Sequence, residues 1–266
     1  MVQHQGDISK ITDGLKKYNT ILCDPAWPEQ GGGKIKRGAD RHYPLMKISE
    51  IKALPVCDLV GDNAHLYLWT TNNYLADAIE CVKEWGFRYK TLVTWVKADA
   101  LEVEAIAVDL SEQLCVSPDR LLKAFKNVGL KNVVYVLQNA GLGQYFRGLT
   151  EQVIFGVKGC LPYKINDGKR AQGRTVFLAP RTQHSVKPFS FYDVVERVSH
   201  PPYIELFARG KREGWDTWGN HPTWDVSADI IEIGSIRPSD EIAALEEAYM
   251  TIGAHVMTLL DALGAK

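Results

Sequence analysis

Short apolar runs alternate with helix-like segments along this chain, and the alternation limits the folds that it can adopt. Apolar runs of strand length occupy residues 19–23, 65–70, 91–96, 152–157, 175–178 and 203–207. Between them, residues 72–85 carry apolar side chains at helical spacing before Gly86, and residues 188–198 have the pattern of a helix that starts with proline. This order predicts an α/β fold built on a mainly parallel sheet with helices on its faces.

Composition and charge exclude several classes of protein. A chain of 266 residues with 45% apolar residues can form one large domain with small additions. With 31 Lys and Arg against 32 Asp and Glu, it is not uniformly basic, although a local basic patch is compatible with these totals. The five cysteines are scattered and form no CxxC pair, which predicts no metal site and a reducing, cytoplasmic location. No run of about 18 apolar residues occurs, so we expect no membrane contact.

One internal segment and the chain end stand apart from the alternating pattern. Residues 98–140 include a helix start at Ser117-Pro118 and a strand-like run at 133–137, which predicts a small inserted α/β unit. We therefore expect a main domain over residues 1–222, interrupted at about 98–140, and a helical extension over residues 223–266.

A carboxylate lies directly after the first predicted strand, in the sequence Asp24-Pro25-Ala26-Trp27. Open α/β sheets bind ligands at the carboxyl ends of their strands, where this loop must lie. An amino group on adenine is a poor nucleophile because its lone pair delocalises into the ring. The Asp24 carboxylate and the Pro25 carbonyl can each accept one N–H and direct the lone pair outward, while Trp27 stacks on the base. The alternative is a strand-ending turn with Trp27 in the core.

Further motifs follow this one in order. They are HLYLW at 65–69, WGF at 85–87, WVK at 95–97, GLGQYFR at 141–147 with Glu151, FGVKG at 155–159, HSVKP at 184–188, YIELFAR at 203–209 and WGNH at 218–221. Together with residues 24–27, they resemble the MT-A70 family of S-adenosylmethionine-dependent adenine-N6 methyltransferases. Ala26 departs from the second proline of the family's Asp-Pro-Pro-Trp signature. The resemblance covers residues 15–97 and 141–221.

The resemblance implies a Rossmann-like methyltransferase sheet in which the catalytic motif precedes the cofactor motif, a permutation of the usual order. It implies that Asp24, Pro25 and Trp27 are catalytic and that S-adenosylmethionine is the cofactor. Lys187 is then placed to pair with the methionine carboxylate of the cofactor. The residues implied around its ribose and adenine are Glu205, Leu206, Phe207, Arg209, Asn220 and His221. Taken one at a time, the polar members of this set could also be ordinary surface residues.

Two long, polar, Gly-rich segments, residues 29–42 and 161–184, carry net positive charge in a chain near neutrality. Loops of this length in a compact domain are usually functional. Basic side chains beside aromatic ones suit a nucleic-acid strand, because they bind its phosphates and bases. The candidate nucleic-acid-binding residues are Lys34, Lys36, Arg37, Arg41 and Tyr43 with the first segment, and Lys169, Arg170 and Arg174 in the second. The alternative is ordinary solvated loop charge.

The function predicted from these observations is methyl transfer from S-adenosylmethionine to N6 of adenine in nucleic acid, without a metal. DNA is preferred over RNA, because the chain lacks the zinc-finger or Arg-Gly-rich additions of some eukaryotic relatives and looks like the short prokaryotic or phage branch. Two alternatives stay open. One is a non-catalytic nucleic-acid-binding subunit of a methyltransferase complex, and the other is a cytosine-N4 DNA methyltransferase, whose chemistry uses a similar motif.

The last segment has the pattern of a helix–helix seam. Ser239 can cap a helix whose first turn holds Asp240 and Glu241. Its apolar side chains follow at alternating steps of three and four residues: Ile242, Leu245, Tyr249, Ile252, Val256, Leu259 and Leu263. We expect this helix to form a homodimer, with packing on its own domain as the alternative.

Overall fold

The computed structural model describes residues 16–29, 45–130, 133–140, 145–166, 168–181 and 186–219, and the backbone of two short strands at 3–4 and 224–225. The chain divides into two compact units. The first comprises Met1–Lys97 and Leu142–Ile230, and the second comprises Ala98–Gly141 and Ile231–Lys266.

A sheet forms the centre of the first unit. The strands of the described chain are β1 (Gln3–His4), β2 (Tyr18–Cys23), β3 (Val60–Thr70), β4 (Arg88–Glu102), β5 (Val133–Leu137), β6 (Thr150–Lys158), β7 (Ile165–Asn166), β8 (Lys169–Arg170), β9 (Val176–Ala179), β10 (Tyr203–Leu206), β11 (Gly210–Lys211), β12 (Trp215–Trp218) and β13 (Trp224–Asp225). The sheet order is β1-β12-β10-β2-β3-β6-β4, with β9 beside β4. All of these pairs are parallel except those of β6, which is antiparallel to both neighbours. The predicted mainly parallel sheet is therefore confirmed.

Successive side chains of a strand point to opposite faces, so the apolar strands of this sheet have apolar side chains on both faces. Helices pack on these faces and bury them. The helices of the described chain are α1 (Ile48–Lys52), α2 (Leu75–Glu84), α3 (Val103–Leu114), α4 (Pro118–Asn127) and α5 (Ser190–Val198). Leu66 of β3 belongs to one buried cluster with Val82 of α2. Trp69 of β3 belongs to another with Phe191 of α5, and the centroids of these two rings lie 4.9 Å apart. Burying side chains of this size contributes about 1.5–3 kcal/mol each.

The helices expected at 72–85, from Pro118 and at 188–198 are present. The helix expected from Ser239 lies outside the described residues. α1, α3, β12 and the two-residue strands were not predicted. The helix expected over 72–85 begins with a 3-10 turn at Asn72–Tyr74, continues as α2 and ends where Gly86 takes a φ of 77°. Glycine adopts this left-handed conformation without a steric penalty. β12 escaped sequence analysis because its four residues are mostly buried and show no alternating pattern.

The sequence predicts a small inserted α/β unit at about 98–140, and this division of the chain stays a prediction. In the structure, Ala98–Gly141 belong to the second unit, together with Ile231–Lys266. β4 runs on into it, and residues 98–102 pair antiparallel with β5. Leu110 of α3 and Phe125 of α4 belong to its buried apolar core, and α4 begins at Pro118 as expected. Nowhere in the described chain is there a helix long and apolar enough to cross a membrane.

Candidate active site

The carboxyl ends of several parallel strands meet at one edge of the sheet, where an α/β sheet binds its ligands. Asp24 directly follows β2, and its backbone N–H donates to the Leu206 carbonyl at the end of β10, 3.3 Å away. Because β6 runs in the opposite direction, it begins at this edge, and Glu151 pairs there with Trp95 of β4. The segment that enters α5 brings Lys187 to the same edge. Residues from distant parts of the chain therefore converge here.

Four charged side chains form a continuous series of ion pairs at this edge. The Lys187 ammonium lies 3.2 Å from Asp24 Oδ2 and 3.0 Å from Glu151 Oε2. The other oxygen of Glu151, Oε1, lies 2.8 Å from the Lys97 ammonium. All four side chains are only 14–19% exposed, so solvent screens these charges weakly. The charges alternate in sign and sum to zero.

Burial and neighbouring charges act in opposite directions on these groups. Burial raises the pKa of Asp24 above its ordinary value, and attraction to Lys187 opposes this shift without cancelling it. Burial also acts to raise the pKa of Glu151, but Lys187 and Lys97 outweigh it and lower this pKa to about 2. Burial acts to lower the pKa of Lys187, but its two carboxylate partners raise it. Glu151 and Lys187 are therefore both charged at neutral pH.

The loop after β2 is held by its own backbone. The Pro25 carbonyl accepts the Trp27 N–H at 2.8 Å, and the Ala26 carbonyl accepts the Met46 N–H at 2.9 Å. A carbonyl oxygen has two lone pairs, so Pro25 can accept a second N–H from a ligand. The loop therefore retains the two acceptors, Asp24 and Pro25, that the sequence predicts.

Trp27 belongs to the core in this structure, which is the alternative that the sequence left open beside stacking on a base. It is 4% exposed, its Nε1–H donates to the Trp69 carbonyl at 2.9 Å, and its ring stacks on Tyr74 with centroids 5.8 Å apart. The Tyr74 hydroxyl donates to the Pro28 carbonyl at 2.6 Å. A buried indole with a satisfied N–H is a stable core position. In this arrangement the ring anchors the loop that carries Asp24, and its face is not open to a base.

The end of β10 supplies a second carboxylate. Tyr192 of α5 donates its hydroxyl hydrogen to Glu205 at 2.7 Å. Burial raises the pKa of Glu205 to about 7, with Tyr192 opposing the shift and Asp24 adding to it. Phe207 has a φ of 66°, a conformation that costs a non-glycine residue about 1–3 kcal/mol and clusters at functional sites. The Leu206 side chain is fully buried, because neighbouring strand residues point to opposite faces, and its place beside the cofactor stays a prediction.

Gly219 holds the end of β12 against the loop that follows β10. A Cβ at this glycine would lie 2.3 Å from the Ala208 carbonyl oxygen, so a larger residue cannot fit without a backbone shift. The Ala208 N–H also donates to the Trp218 carbonyl at 2.9 Å. This contact fixes the backbone at the carboxyl ends of β10 and β12. Asn220 and His221, which were predicted to bind the cofactor, lie outside the described residues.

The groups at this edge fit the chemistry of S-adenosylmethionine, which carries a carboxylate, two ribose hydroxyls and an adenine ring. Lys187 and Arg209 are cations, Glu205 is an acceptor for hydroxyls, and Phe207 offers a partly exposed apolar ring. An ammonium has three N–H donors, so Lys187 can bind a third acceptor besides its two carboxylates. Within the described ranges, no group of three or more His, Cys, Asp or Glu could hold a metal ion.

The predicted nucleic-acid-binding residues are described only in part. Lys34, Lys36, Arg37, Arg41 and Tyr43 lie outside the described residues. The second segment forms a hairpin of β7 and β8 where a long loop was expected. Lys169, Arg170 and Arg174 are exposed, and the Arg170 guanidinium carbon lies 3.5 Å from the Tyr163 ring centroid. A cation stacked on an exposed ring suits contact with a nucleic-acid strand.

Sequence analysis assigns no role to three residues that the structure places in the site: Lys97, Glu151 and Tyr192. Lys97 and Glu151 stand within family-like motifs. The sequence did contain one sign of a role for Glu151. This carboxylate lies at the start of an apolar strand, and a buried carboxylate needs a charged or hydrogen-bonding partner. Tyr192 had no such signal, since it is one of several aromatic residues on an amphipathic helix.

Comparison with known proteins gives consistent matches. The sequence profile of the MT-A70 family matches residues 18–129 and 120–221. The type II methyltransferase M.MunI of a Mycoplasma species is 28% identical over 247 residues, 85% of each chain. The human N(6)-adenosine-methyltransferase catalytic subunit METTL3 is 23% identical over 77% of this chain and 28% of its own length. The human N(6)-adenine-specific methyltransferase METTL4 is 26% identical over 77% of this chain and 37% of its own length.

Proposed function

Because the chain belongs to the MT-A70 family, we propose that it transfers a methyl group from S-adenosylmethionine to N6 of adenine in nucleic acid, with DNA preferred over RNA. The observation that carries this proposal is the buried Asp24 carboxylate, held by Lys187 at the ligand-binding edge of the sheet. The matches with METTL3 and METTL4, which are named for adenosine and adenine, support adenine as the base. The match with the type II methyltransferase over 85% of both chains supports methyl transfer by a chain of this extent.

The loop after β2 orients the target amine. The Asp24 carboxylate accepts one N–H of the amino group and the Pro25 carbonyl accepts the other, which holds the nitrogen lone pair outside the plane of the ring. S-adenosylmethionine supplies, when bound, a methyl group on a positively charged sulfur. Lys187 would hold its carboxylate, Glu205 would accept its ribose hydroxyls, and Arg209 would lie with Glu205 around its ribose and adenine. Because that methyl group is already electrophilic, the protein contributes mainly position and orientation.

The methylated nitrogen carries a surplus proton that must leave. Asp24 accepts this proton, since it is hydrogen-bonded to the amine in the proposed arrangement. Burial raises the pKa of Asp24, which makes it a stronger base than an exposed aspartate.

A direct assay tests the proposed reaction. Purified protein is incubated with isotopically labelled S-adenosylmethionine and with DNA or RNA oligonucleotides, and the nucleosides are then identified by mass spectrometry. We expect N6-methyladenine, with a higher yield on DNA. N4-methylcytosine would assign the chain to a different reaction, a higher yield on RNA would reverse the substrate preference, and absence of any product would favour a non-catalytic subunit.

Asp24→Asn and Asp24→Ala should abolish methylation, because both remove the anionic acceptor that orients the amine. The fold should persist, since Asp24 lies in a loop at the sheet edge and not in the buried clusters. Circular dichroism checks the fold, calorimetry with S-adenosylmethionine checks cofactor binding, and the nucleoside assay checks turnover. Near wild-type turnover in either variant would show that Asp24 is not the orienting group.

A further inference from the structure

We propose that Glu151, held by Lys97, is a positioning residue for Asp24. Glu151 and Asp24 both pair with the Lys187 ammonium. Because Glu151 takes part of this interaction, Lys187 can balance the charge of Asp24 and still leave the Asp24 carboxylate able to accept an N–H from the amine. This inference rests on the proposed function, because it explains how Asp24 can be largely buried, paired with Lys187 and still able to bind the target amine.

The distances show how the ammonium is divided. The Lys187 ammonium contacts Glu151 at 3.0 Å and Asp24 at 3.2 Å, so it serves the two carboxylates at similar lengths. Both contacts are longer than a strong charge-assisted N–H···O bond of about 2.7–2.9 Å, and the one to Asp24 engages a single oxygen, Oδ2. Without Glu151, the buried ammonium would have one carboxylate to satisfy it and would bind Asp24 more closely. Such a contact would compete directly with the N–H of the amine.

Lys97 keeps Glu151 in place. It pairs with the oxygen of Glu151 that Lys187 does not use, at 2.8 Å. Its backbone N–H donates to the Leu149 carbonyl at 2.9 Å, which ties β4 to the residue just before β6. The two ammonium groups also lie over indole rings, with Lys97 5.1 Å from the Trp95 centroid and Lys187 5.3 Å from the Trp69 centroid. These contacts restrict both lysines to the positions that bridge the carboxylates.

Asp24 is surrounded by several titratable groups on four different segments. Those that act on it, or on which it acts, are Cys23, Glu151, Lys187, Tyr192, Glu205 and Arg209. Glu151 both repels Asp24 and pairs with Lys187, and Lys97 acts on Asp24 through its ion pair with Glu151. Substitution of Glu151 or Lys97 therefore changes the electrostatic potential at the Asp24 carboxylate, while the backbone contacts of the loop that carries Asp24 are retained.

Substitutions of Glu151 and Lys97 should shift the titration of Asp24 in opposite directions, and this difference tests the proposal. Glu151→Gln removes a negative charge near Asp24, and Lys97→Met removes a positive one. We propose to measure kcat and KM for a DNA oligonucleotide against pH, and to follow the Asp24 carboxyl carbon by ¹³C NMR in protein without substrate or cofactor. Asp24→Asn assigns the resonance. Glu80→Gln is the matched control, since Glu80 pairs with Lys52 at an exposed position on α1 and α2.

In Glu151→Gln the Asp24 titration and the acid limb of kcat should move to lower pH, because a repelling charge is lost. Its kcat should fall by about 10- to 100-fold, the cost of a misplaced reacting group, with KM for DNA near the wild-type value. In Lys97→Met the titration should move to higher pH. The double variant should titrate near the wild type, because one charge of each sign is removed. Glu80→Gln should match the wild type throughout.

Unchanged titrations, or shifts in the same direction for the two single variants, would overturn the proposal. A loss of thermal stability alone would show a structural role. If Glu151→Gln does not fold, Glu151→Asp and Lys97→Met carry the test, and Glu151→Asp should titrate like the wild type with a reduced kcat. If the wild-type protein makes no methylated product, the proposed function fails, whereas the NMR titration still decides whether Glu151 and Lys97 control Asp24.

Discussion

Among single residues, Glu205 couples the site to pH near neutrality. Burial raises its pKa from 4.5 to about 7. Between these two values the folded protein binds more protons than the unfolded chain, so stability is lost as pH rises through this range. Glu205→Gln should remove this loss, and at pH 8 its Tm should exceed that of the wild type by at least roughly 2–4 °C, the effect of about 1 kcal/mol in a domain of this size. Thermal unfolding at pH 5 and pH 8 measures the difference.

The same variant should bind S-adenosylmethionine more weakly, since the amide is a poorer acceptor for ribose hydroxyls than a carboxylate. Calorimetry at pH 8 measures this loss. A Tm that falls as steeply with pH in Glu205→Gln as in the wild type would mean that Glu205 is already ionised at low pH in the folded protein.

Gly219 is the residue at which the site tolerates least extra volume. Gly219→Ala should destabilise the protein by several kcal/mol or abolish cofactor binding, because the new Cβ would overlap the Ala208 carbonyl oxygen at 2.3 Å. Gly61→Ala is the matched control, since its Cβ would have no neighbour within 4 Å. Chemical unfolding should show a large loss for the first variant and almost none for the second. Equal effects would contradict the close approach of β12 to the loop after β10.

Among the elements, the β7–β8 hairpin and the residues after it are the described candidates for nucleic-acid contact. Replacing Lys169, Arg170 and Arg174 together with Ala should weaken DNA binding and leave cofactor affinity unchanged. A plot of the logarithm of the DNA-binding constant against the logarithm of the salt concentration has a negative slope. Each phosphate contact that is lost should reduce the magnitude of this slope by roughly 0.7–0.9. Fluorescence anisotropy over a salt series measures the slope.

A charge-matched control is available on another part of the sheet. The control residues are Lys83, near the end of α2, and Arg88 and Lys90, at the start of β4. All three are exposed, and Arg88 and Lys90 precede Lys97 in β4 by several residues. Their triple Ala variant should bind DNA like the wild type. If both triple variants show the same salt dependence, the basic residues of the hairpin segment are ordinary solvated charges and do not bind nucleic acid.

At the scale of the whole molecule, we predict that the oligomeric state depends on the helix expected at the end of the sequence. The seam that runs from Ile242 to Leu263 lies outside the described residues, so the homodimer stays a prediction from its heptad-like spacing. Light scattering should show a dimer for the intact chain and a monomer for a chain ending at Ile236. A monomeric intact chain, or a truncated chain that stays dimeric, would contradict the prediction.

The sequence by itself determined most of the longer local elements and the position of the loop that carries Asp24. Apolar runs located β2, β3, β5, β6, β9, β10 and the first part of β4, and helical periodicity located α5. Gly86 marked the end of α2, and Pro118 marked the start of α4. These features depend on residues close together in the chain, whose spacing and backbone preferences decide the local conformation. Asp24 could be singled out for the same reason, because a carboxylate after an apolar strand lies at the ligand-binding edge of any such sheet.

The tertiary structure alone decided which distant residues meet. The apolar pattern of β6 is the same for either direction, and only its antiparallel pairing brings Glu151 to the edge where Asp24 lies. Sequence could not decide whether Trp27 stacks on a base or fills the core, because both environments favour an indole. Nor could it pair Lys187 with two carboxylates, since residues 24, 151 and 187 meet only when β2, β6 and the segment before α5 are packed together. Long-range charge pairing follows from strand direction and register, which the hydrophobic pattern of each segment does not encode.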